Sequence, residues 1–260
     1  MDRVRAKKSL GQHFLKDLNI ARQIAESLQL STSSNVVEVG PGMGVLTQFL
    51  LPQKGINLFV AEIDRDSVAY LNKHFPMLAG KILDGDFLHM NLSETFNNEP
   101  YAIIGNFPYN ISSQIFFNAF DNRDKVTEVV GMVQKEVAAR IAAPHGSKTY
   151  GILSVLLQAF YDVEYLFTVG PEVFTPPPKV QSGVFRMTRN QVQKLDCDEK
   201  LFVRVVKQGF NNRRKTLRNA LKPLNLHEDL RQDPVLSLRA EQLSTQDFQK
   251  LTLKIQQYSQ

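Results

Sequence analysis

The sequence predicts a doubly wound, mostly parallel α/β sheet with a small helical domain behind it. Three observations carry this. From Asn35 onward, short apolar runs alternate with stretches of helical periodicity, the pattern of a parallel sheet covered by helices on both faces. A glycine loop, Gly40-Pro41-Gly42-Met43-Gly44, separates the first such run from the first such helix. Beyond residue 200 only helical periodicity remains. The predicted domains are residues 1–190 and 191–260, with the polar, unpatterned stretch 190–200 as the join.

The first 34 residues read as a basic lead-in and one helix, with Leu18, Ile20, Ile24, Leu28 and Leu30 as its apolar stripe. Val36–Val39 reads as a strand and Gly44–Leu51 as a helix. Ile56–Ala61 reads as a strand, followed by a helix over Asp64–Phe75 that an acid caps. Lys81–Leu83 and Ala102–Gly105 are the next two strands. A helix over Ser112–Phe120, a strand over Glu128–Val133 and helices over Glu136–Ala143 and Thr149–Phe160 follow. Tyr161–Val169 and Ser182–Thr188 read as a closing antiparallel pair. In doubly wound sheets ligands bind beyond the C-terminal ends of the strands. The loops after the strands at 36–39, 56–61, 81–83 and 102–105 should therefore share one crevice.

Composition narrows what the crevice serves. The 260 residues are 43% hydrophobic and 22% charged, ordinary for a globular chain. The net charge of +5 is clustered. Arg3, Arg5, Lys7, Lys8 and Lys16 form one acid-free run; Arg204, Lys207, Arg213, Arg214, Lys215, Arg218 and Lys222 form another. Two such segments point to a polyanion, against the alternative of solvated basic faces. Cys197 is the only cysteine, which excludes an intrachain disulfide framework and fits a reducing cytoplasm. The five histidines show no metal-ligand spacing. No signal-peptide core and no membrane span are evident. A cytoplasmic monomer with no metal and no membrane partner is expected.

Each strand end carries a candidate group. Gly40 and Gly42 permit a tight turn and close approach of backbone to a ligand; their spacing is not the G-x-G-x-x-G of dinucleotide binders. Glu62, at the end of the second strand, can accept both hydrogens of a ribose diol, whereas Asp64 suits a helix N-cap. Asp86 can accept from an adenine amino group while Phe87 packs on the purine; an acidic turn explains this segment equally well. The fourth strand ends in Asn106-Phe107-Pro108-Tyr109. An amide oxygen on Asn106, the carbonyl of Pro108 and the ring of Tyr109 would together recognise an exocyclic amine on a planar base. Proline stiffens the turn and holds the preceding residue extended.

Glycine loop, ribose acid, adenine acid and Asn-Phe-Pro-Tyr occur in this order after successive strands. The order resembles the class I S-adenosylmethionine-dependent methyltransferases, a Rossmann-like fold. The tetrapeptide is similar to the Asn/Asp-Pro-Pro-Tyr of enzymes that methylate exocyclic amines of bases. Ser9-Leu10-Gly11-Gln12-His13-Phe14-Leu15 resembles the entry motif of the ribosomal RNA adenine dimethyltransferases. Val173-Phe174-Thr175-Pro176-Pro177-Pro178-Lys179-Val180-Gln181-Ser182 is similar to their proline-rich segment, and Phe210–Asn219 and Arg239–Leu243 to their C-terminal motifs. Phe107 departs from the pattern, which more often has Leu there; a bulkier side chain is expected to alter pocket packing.

The resemblance implies S-adenosyl-L-methionine as cofactor, held by Gln12, His13, Leu15, Gly40, Gly42, Glu62, Ile63, Asp86, Phe87 and Asn106. It implies dimethylation of two adjacent adenosines near the 3′ end of small-subunit rRNA in an immature ribosomal subunit, with a role in subunit biogenesis. Asn106, Pro108 and Tyr109 would serve the reaction, with Phe174 stacking on the second face of the extruded adenine. Lys7, Lys8, Arg213, Arg214, Lys215 and Arg218 would contact RNA. A large-subunit rRNA adenine methyltransferase and a non-catalytic assembly factor are the rival readings. The C-terminal motifs speak against the first; Glu62, Asp86 and Asn106 speak against the second.

Overall fold

The computed structural model describes residues 4–30 and 34–258. Arg3 of the N-terminal basic run and the last two residues of the C-terminal helical stretch lie outside them. The chain forms two compact units. One comprises the chain up to Ala138 together with Val163–Arg189; the other comprises Ala139–Asp162 together with the chain from Asn190 onward. The sequence reading placed 139–162 with the first domain. Among the described residues no helix is long and apolar enough to cross a membrane.

In the first unit a short strand β1 (Phe14–Leu15) precedes helix α1 (Leu18–Glu26). Asp17 caps α1 by accepting the Asn19 and Ile20 N–H groups. The helix is shorter than its apolar stripe suggested. The Glu128 carboxylate collects the N–H groups of Gln29 and Leu30, and Leu30 turns to φ 49°. Leu28 and Leu30 still pack against the core, but from outside the helix.

The α/β alternation then runs β2 (Asn35–Val39), α2 (Thr47–Leu50), β3 (Asn57–Glu62), α3 (Arg65–His74), β4 (Ile82–Asp84), α4 (Leu92–Thr95), β5 (Tyr101–Asn106), α5 (Ser112–Asp121) and β6 (Val126–Gln134). Helices α6 (Lys135–Ile141) and α7 (Ile152–Gln158) precede β7 (Tyr161–Val169), a two-residue β8 (Phe174–Thr175) and β9 (Ser182–Arg189). Seven strands form one sheet in the order β4-β3-β2-β5-β6-β9-β7. The β4–β6 portion is parallel throughout, and β9 pairs antiparallel with β6.

The central strands are apolar runs because helices cover both faces. Val36, Val37, Ile103 and Ile104 are fully buried, each contributing roughly 1.5–3 kcal/mol of apolar burial. From β2 the chain winds to one side through β3 and β4, then returns to β5 and winds to the other. The strand order therefore reverses between β2 and β5, and the crevice that binds ligands in such sheets opens there. β1 and β8 pair antiparallel in a separate two-stranded sheet, Leu15 opposite Phe174.

In the second unit α8 (Glu199–Asn211), α9 (Leu217–Ala220) and α10 (Thr245–Gln257) supply most of the helix. The unit includes 139–162 because α7 packs against α8 and α10. Phe202, Val205, Val206, Leu217 and Leu221 are buried as the apolar phasing predicted. The basic segment is not one helix, however. It breaks at Asn212, where the backbone leaves the helical region (φ −128°, ψ 72°), and resumes at Leu217.

Candidate active site

A cavity enclosing about 270 Å³ opens beyond the C-terminal ends of β2, β3, β4 and β5, in the first unit. Gly40 and Gly42 line it after β2, Glu62 and Ile63 after β3, Asp86 and Phe87 after β4. Asn106, Pro108 and Tyr109 line it after β5, and Gln12 and His13 from the N-terminal arm.

The glycine loop is shaped by the acid opposite it. Gly42 has φ 57°, and a Cβ there would lie 2.9 Å from the Phe14 ring, so only glycine fits. Its N–H donates to Glu62 Oε2 at 3.0 Å, and the Asp64 N–H donates to Oε1 at 2.9 Å. Burial pushes the Glu62 carboxyl up, against these two hydrogen bonds. A carboxylate has about four lone-pair positions, so Glu62 can hold the loop and still accept from a diol. Glu38, one strand further in, is buried and accepts from Thr47 Oγ1 at 2.6 Å. Burial, reinforced by the Glu62 charge and opposed by the Thr47 hydroxyl, pushes its pKa up to about 8.

Asp64 caps α3, as expected, by accepting the Asp66 N–H. It also receives Lys7 Nζ and, at 2.9 Å, Gln12 Nε2. Burial alone would raise this carboxyl; the lysine and the amide outweigh it and hold it below the ordinary range. Lys7 also pairs with Asp66 at 2.7 Å, so its charge is spent within the protein, while Lys8 is exposed. Asp86 accepts the Leu88 N–H at 3.0 Å and faces His89 Nδ1 at 3.1 Å. Ile63 is 49% exposed beside it, and Phe87 is buried, giving apolar walls for a flat ring.

Asn106 Nδ2 donates to the His13 main-chain oxygen at 2.9 Å, which leaves Oδ1 as the atom available to a donor. The Pro108 carbonyl accepts from the Ile111 N–H at 3.2 Å and keeps a second lone pair. The Tyr109 hydroxyl bonds Ser182 Oγ at 2.7 Å; burial raises its pKa and that bond opposes the rise. Phe107 is buried, its ring laid over Gly105 and Gly131 of β5 and β6, where a Cβ at Gly131 would overlap it. Two glycines thus make the room that the bulkier residue needs.

Two expected site residues lie elsewhere. Leu15 and Phe174 face each other across the β1–β8 pair, are buried in the hydrophobic core and do not line the cavity. Phe174, expected as the second stacking ring, is a buried residue of this structure: strand pairing, not its proline-rich neighbours, sets its direction. Sequence reasoning missed Phe14, Gly85 and Asn110, which line the cavity. Phe14 stood inside the quoted entry motif, and Gly85 (φ 148°) marked the turn after β4; Asn110 carried no signal beyond its place after the tetrapeptide. Arg213, Arg214, Lys215 and Arg218 are all exposed in the second unit. Arg213 Nη2 also donates to the carbonyls of Lys148 and Tyr150, each at 2.8 Å.

Residues 3–257 match the family described as ribosomal RNA adenine dimethylase. The chain belongs to that family. S-adenosylmethionine-dependent methylation of rRNA adenines, implied by the motifs, is the family's chemistry. The enzyme is 57% identical to ribosomal RNA small subunit methyltransferase A of Flavobacterium johnsoniae, over 98% of both chains. It is 57% identical to the protein of that name from Porphyromonas gingivalis, over 99% of this chain and 100% of the relative. A dimethyladenosine transferase structure from Plasmodium falciparum superposes with a TM-score of 0.77 at 24% identity, covering 95% of this chain and 98% of the other. The 23S rRNA methyltransferase ErmE follows at 0.68 and 23%, covering 92% and 99%. Both confirm the fold.

The cavity fits the cofactor. A carboxylate with spare acceptors, a glycine turn that admits no Cβ, an exposed isoleucine and a buried phenylalanine suit a ribose, a close-lying chain and a purine in turn.

Proposed function

We propose that this S-adenosylmethionine-dependent 16S rRNA adenine dimethyltransferase modifies two adjacent adenosines near the 3′ end of the RNA. It acts on an immature small subunit, as a cytoplasmic monomer. One observation carries the reading: the amide of Asn106, oriented by the His13 carbonyl, opens on the same cavity as Pro108 and Tyr109 and as Glu62 and Asp86.

When bound, the cofactor supplies an electrophilic methyl group. The protein's part is positioning and electrostatics. An adenine amine is a poor nucleophile because its lone pair is delocalised into the ring. Asn106 Oδ1 and the Pro108 carbonyl accept its two hydrogens, which favours a pyramidal nitrogen and stabilises the positive charge that develops there. A base stacked in RNA must first be extruded, and Tyr109 offers a ring for the flipped base to stack on. Glu62 holds the ribose of the cofactor, and Asp86 its adenine amine. The exposed cations Lys8, Arg214, Lys215 and Arg218 hold phosphates.

The test is incubation with labelled S-adenosylmethionine and under-methylated small subunits, followed by mapping of the product. Label in two neighbouring adenosines near the 3′ end of 16S rRNA is expected. Label elsewhere, or none, overturns the finer assignment.

A further inference from the structure

Tyr109 is held from two sides, by Ser182, which the chemistry above does not use, and by the ring of His13, of which it uses only the main-chain carbonyl. Its hydroxyl bonds Ser182 Oγ at 2.7 Å. Its ring lies 5.5 Å from the His13 imidazole, tilted by 33°. The two constraints act on different torsions. A phenol oxygen lies on the axis of the ring's own rotation, so tethering it fixes the swing of the whole side chain and not the ring flip. The imidazole against the ring face limits the flip.

Both partners are themselves immobilised. Ser182 is 0% exposed and opens β9, in register with Gln134 of β6. The adjoining Gln181 carbonyl accepts the Lys135 N–H at 3.0 Å. His13 Nδ1 lies 2.8 Å from the Pro176 carbonyl; a carbonyl only accepts, so Nδ1 carries the proton. A half-buried tyrosine needs one partner for its hydroxyl. A short side chain on a paired strand supplies it with almost no freedom of its own.

We infer that Ser182 is a positioning residue for methyl transfer: it tethers the Tyr109 ring in the orientation in which the extruded adenine stacks. The inference rests on the reading of Tyr109 as the adenine platform. Ser182 touches neither adenine nor cofactor and acts only through the phenol. Losing the tether costs what a neutral hydrogen bond contributes, so transfer slows by about 2–10-fold.

The experiment is single-turnover methyl transfer to under-methylated small subunits at several subunit concentrations. The variants are Ser182→Ala, Tyr109→Phe, the double variant and Tyr109→Ala. Ser182→Ala and Tyr109→Phe should each slow the transfer step by about 2–10-fold, with calorimetric S-adenosylmethionine affinity unchanged. The double variant should be no slower than either single one, because both remove the same bond. Losses that multiply, or a wild-type rate in Ser182→Ala, overturn the inference. Should Ser182→Ala fail to fold, Tyr109→Phe breaks the bond from the other end with the ring intact, and a wild-type rate there overturns it equally. Tyr109→Ala separates the two claims. If it is nearly inactive while the other variants match wild type, the platform stands and the tether fails. If it too matches wild type, the platform reading itself is wrong.

Discussion

Asn106 donates its amide nitrogen to the main-chain oxygen of His13, across 93 residues of sequence, at 2.9 Å. An amide side chain can present either end to a ligand. With the NH2 group committed to a carbonyl of the N-terminal arm, the oxygen is the end left for a donor in the cavity. The arm therefore sets the orientation of the amide, and the same arm is tied to the N-terminus of α3 by Gln12 and Lys7 on Asp64.

Replacing Asn106 with Ala removes one of the two proposed acceptors for the amine and leaves Glu62 and the basic surfaces intact. The lost hydrogen bond matters most as charge builds on nitrogen, so the effect falls on turnover. A fall of about 10²–10³ in single-turnover rate is expected, with binding to immature subunits retained because phosphate contacts dominate it. A rate within a few-fold of wild type would reduce Asn106 to a strand-end turn residue.

Glu62→Ala should weaken S-adenosylmethionine binding by about one to two decades, the value of a charge-assisted pair of hydrogen bonds at roughly 1.5–3 kcal/mol. The structure adds a second consequence. The N–H groups of Gly42 and Asp64 lose their acceptor, so the variant should also melt at a lower temperature without ligand. Calorimetry reads the first effect and thermal unfolding the second. Unchanged affinity would remove Glu62 from the cofactor site.

What the sequence showed and what it hid divide on physical lines. Glu62, Asp86 and Asn106 were legible because each ends an apolar run, and a parallel sheet delivers all strand ends to one edge. The Asp64 cap was legible because capping is local. Phe174 was not: its burial follows from pairing with Leu15, far away in sequence, through strands of two residues that carry no periodicity. Lys7 and Lys8 look alike in the sequence, yet the path of the arm delivers only Lys7 to Asp64 and Asp66. The apolar phasing of 201–222 survives the break at Asn212 because the turn returns the chain to the same core.

Glu38 gives the protein a pH dependence with a definite sign. Its folded pKa is pushed up to about 8 from 4.5, first by burial. The folded state therefore keeps a proton that the unfolded state releases. This contribution to stability is fully present below about pH 4.5 and is lost as pH rises to about 8. Glu38→Gln, neutral at every pH, should flatten that slope, so that the melting temperatures of wild type and variant diverge between pH 5 and pH 8 in the variant's favour. Parallel curves across that range would mean that Glu38 is ionised in the folded protein.

The last prediction concerns the basic segment of the second unit, where the structure separates residues that look equivalent in the sequence. Arg213 spends one guanidinium nitrogen on the carbonyls of Lys148 and Tyr150. Arg213 is exposed, like Arg214 and Lys215 beside it, and these hydrogen bonds are what set it apart. Arg213→Ala should therefore lower the melting temperature modestly, by about 0.5–1.5 kcal/mol of stability, because water can replace the guanidinium at the exposed Lys148 carbonyl but less readily at that of buried Tyr150. Arg214→Ala with Lys215→Ala should leave stability within about 0.5 kcal/mol of wild type and weaken binding to immature subunits. If both contact phosphates, the log–log salt dependence becomes shallower by roughly 0.7–0.9 per lost contact. S-adenosylmethionine affinity should not change in either variant. A salt slope unaltered by the double replacement would make this segment a solvated face. A slope altered only by Arg213→Ala, with no loss of stability, would mean that Arg213 leaves its carbonyls to bind RNA.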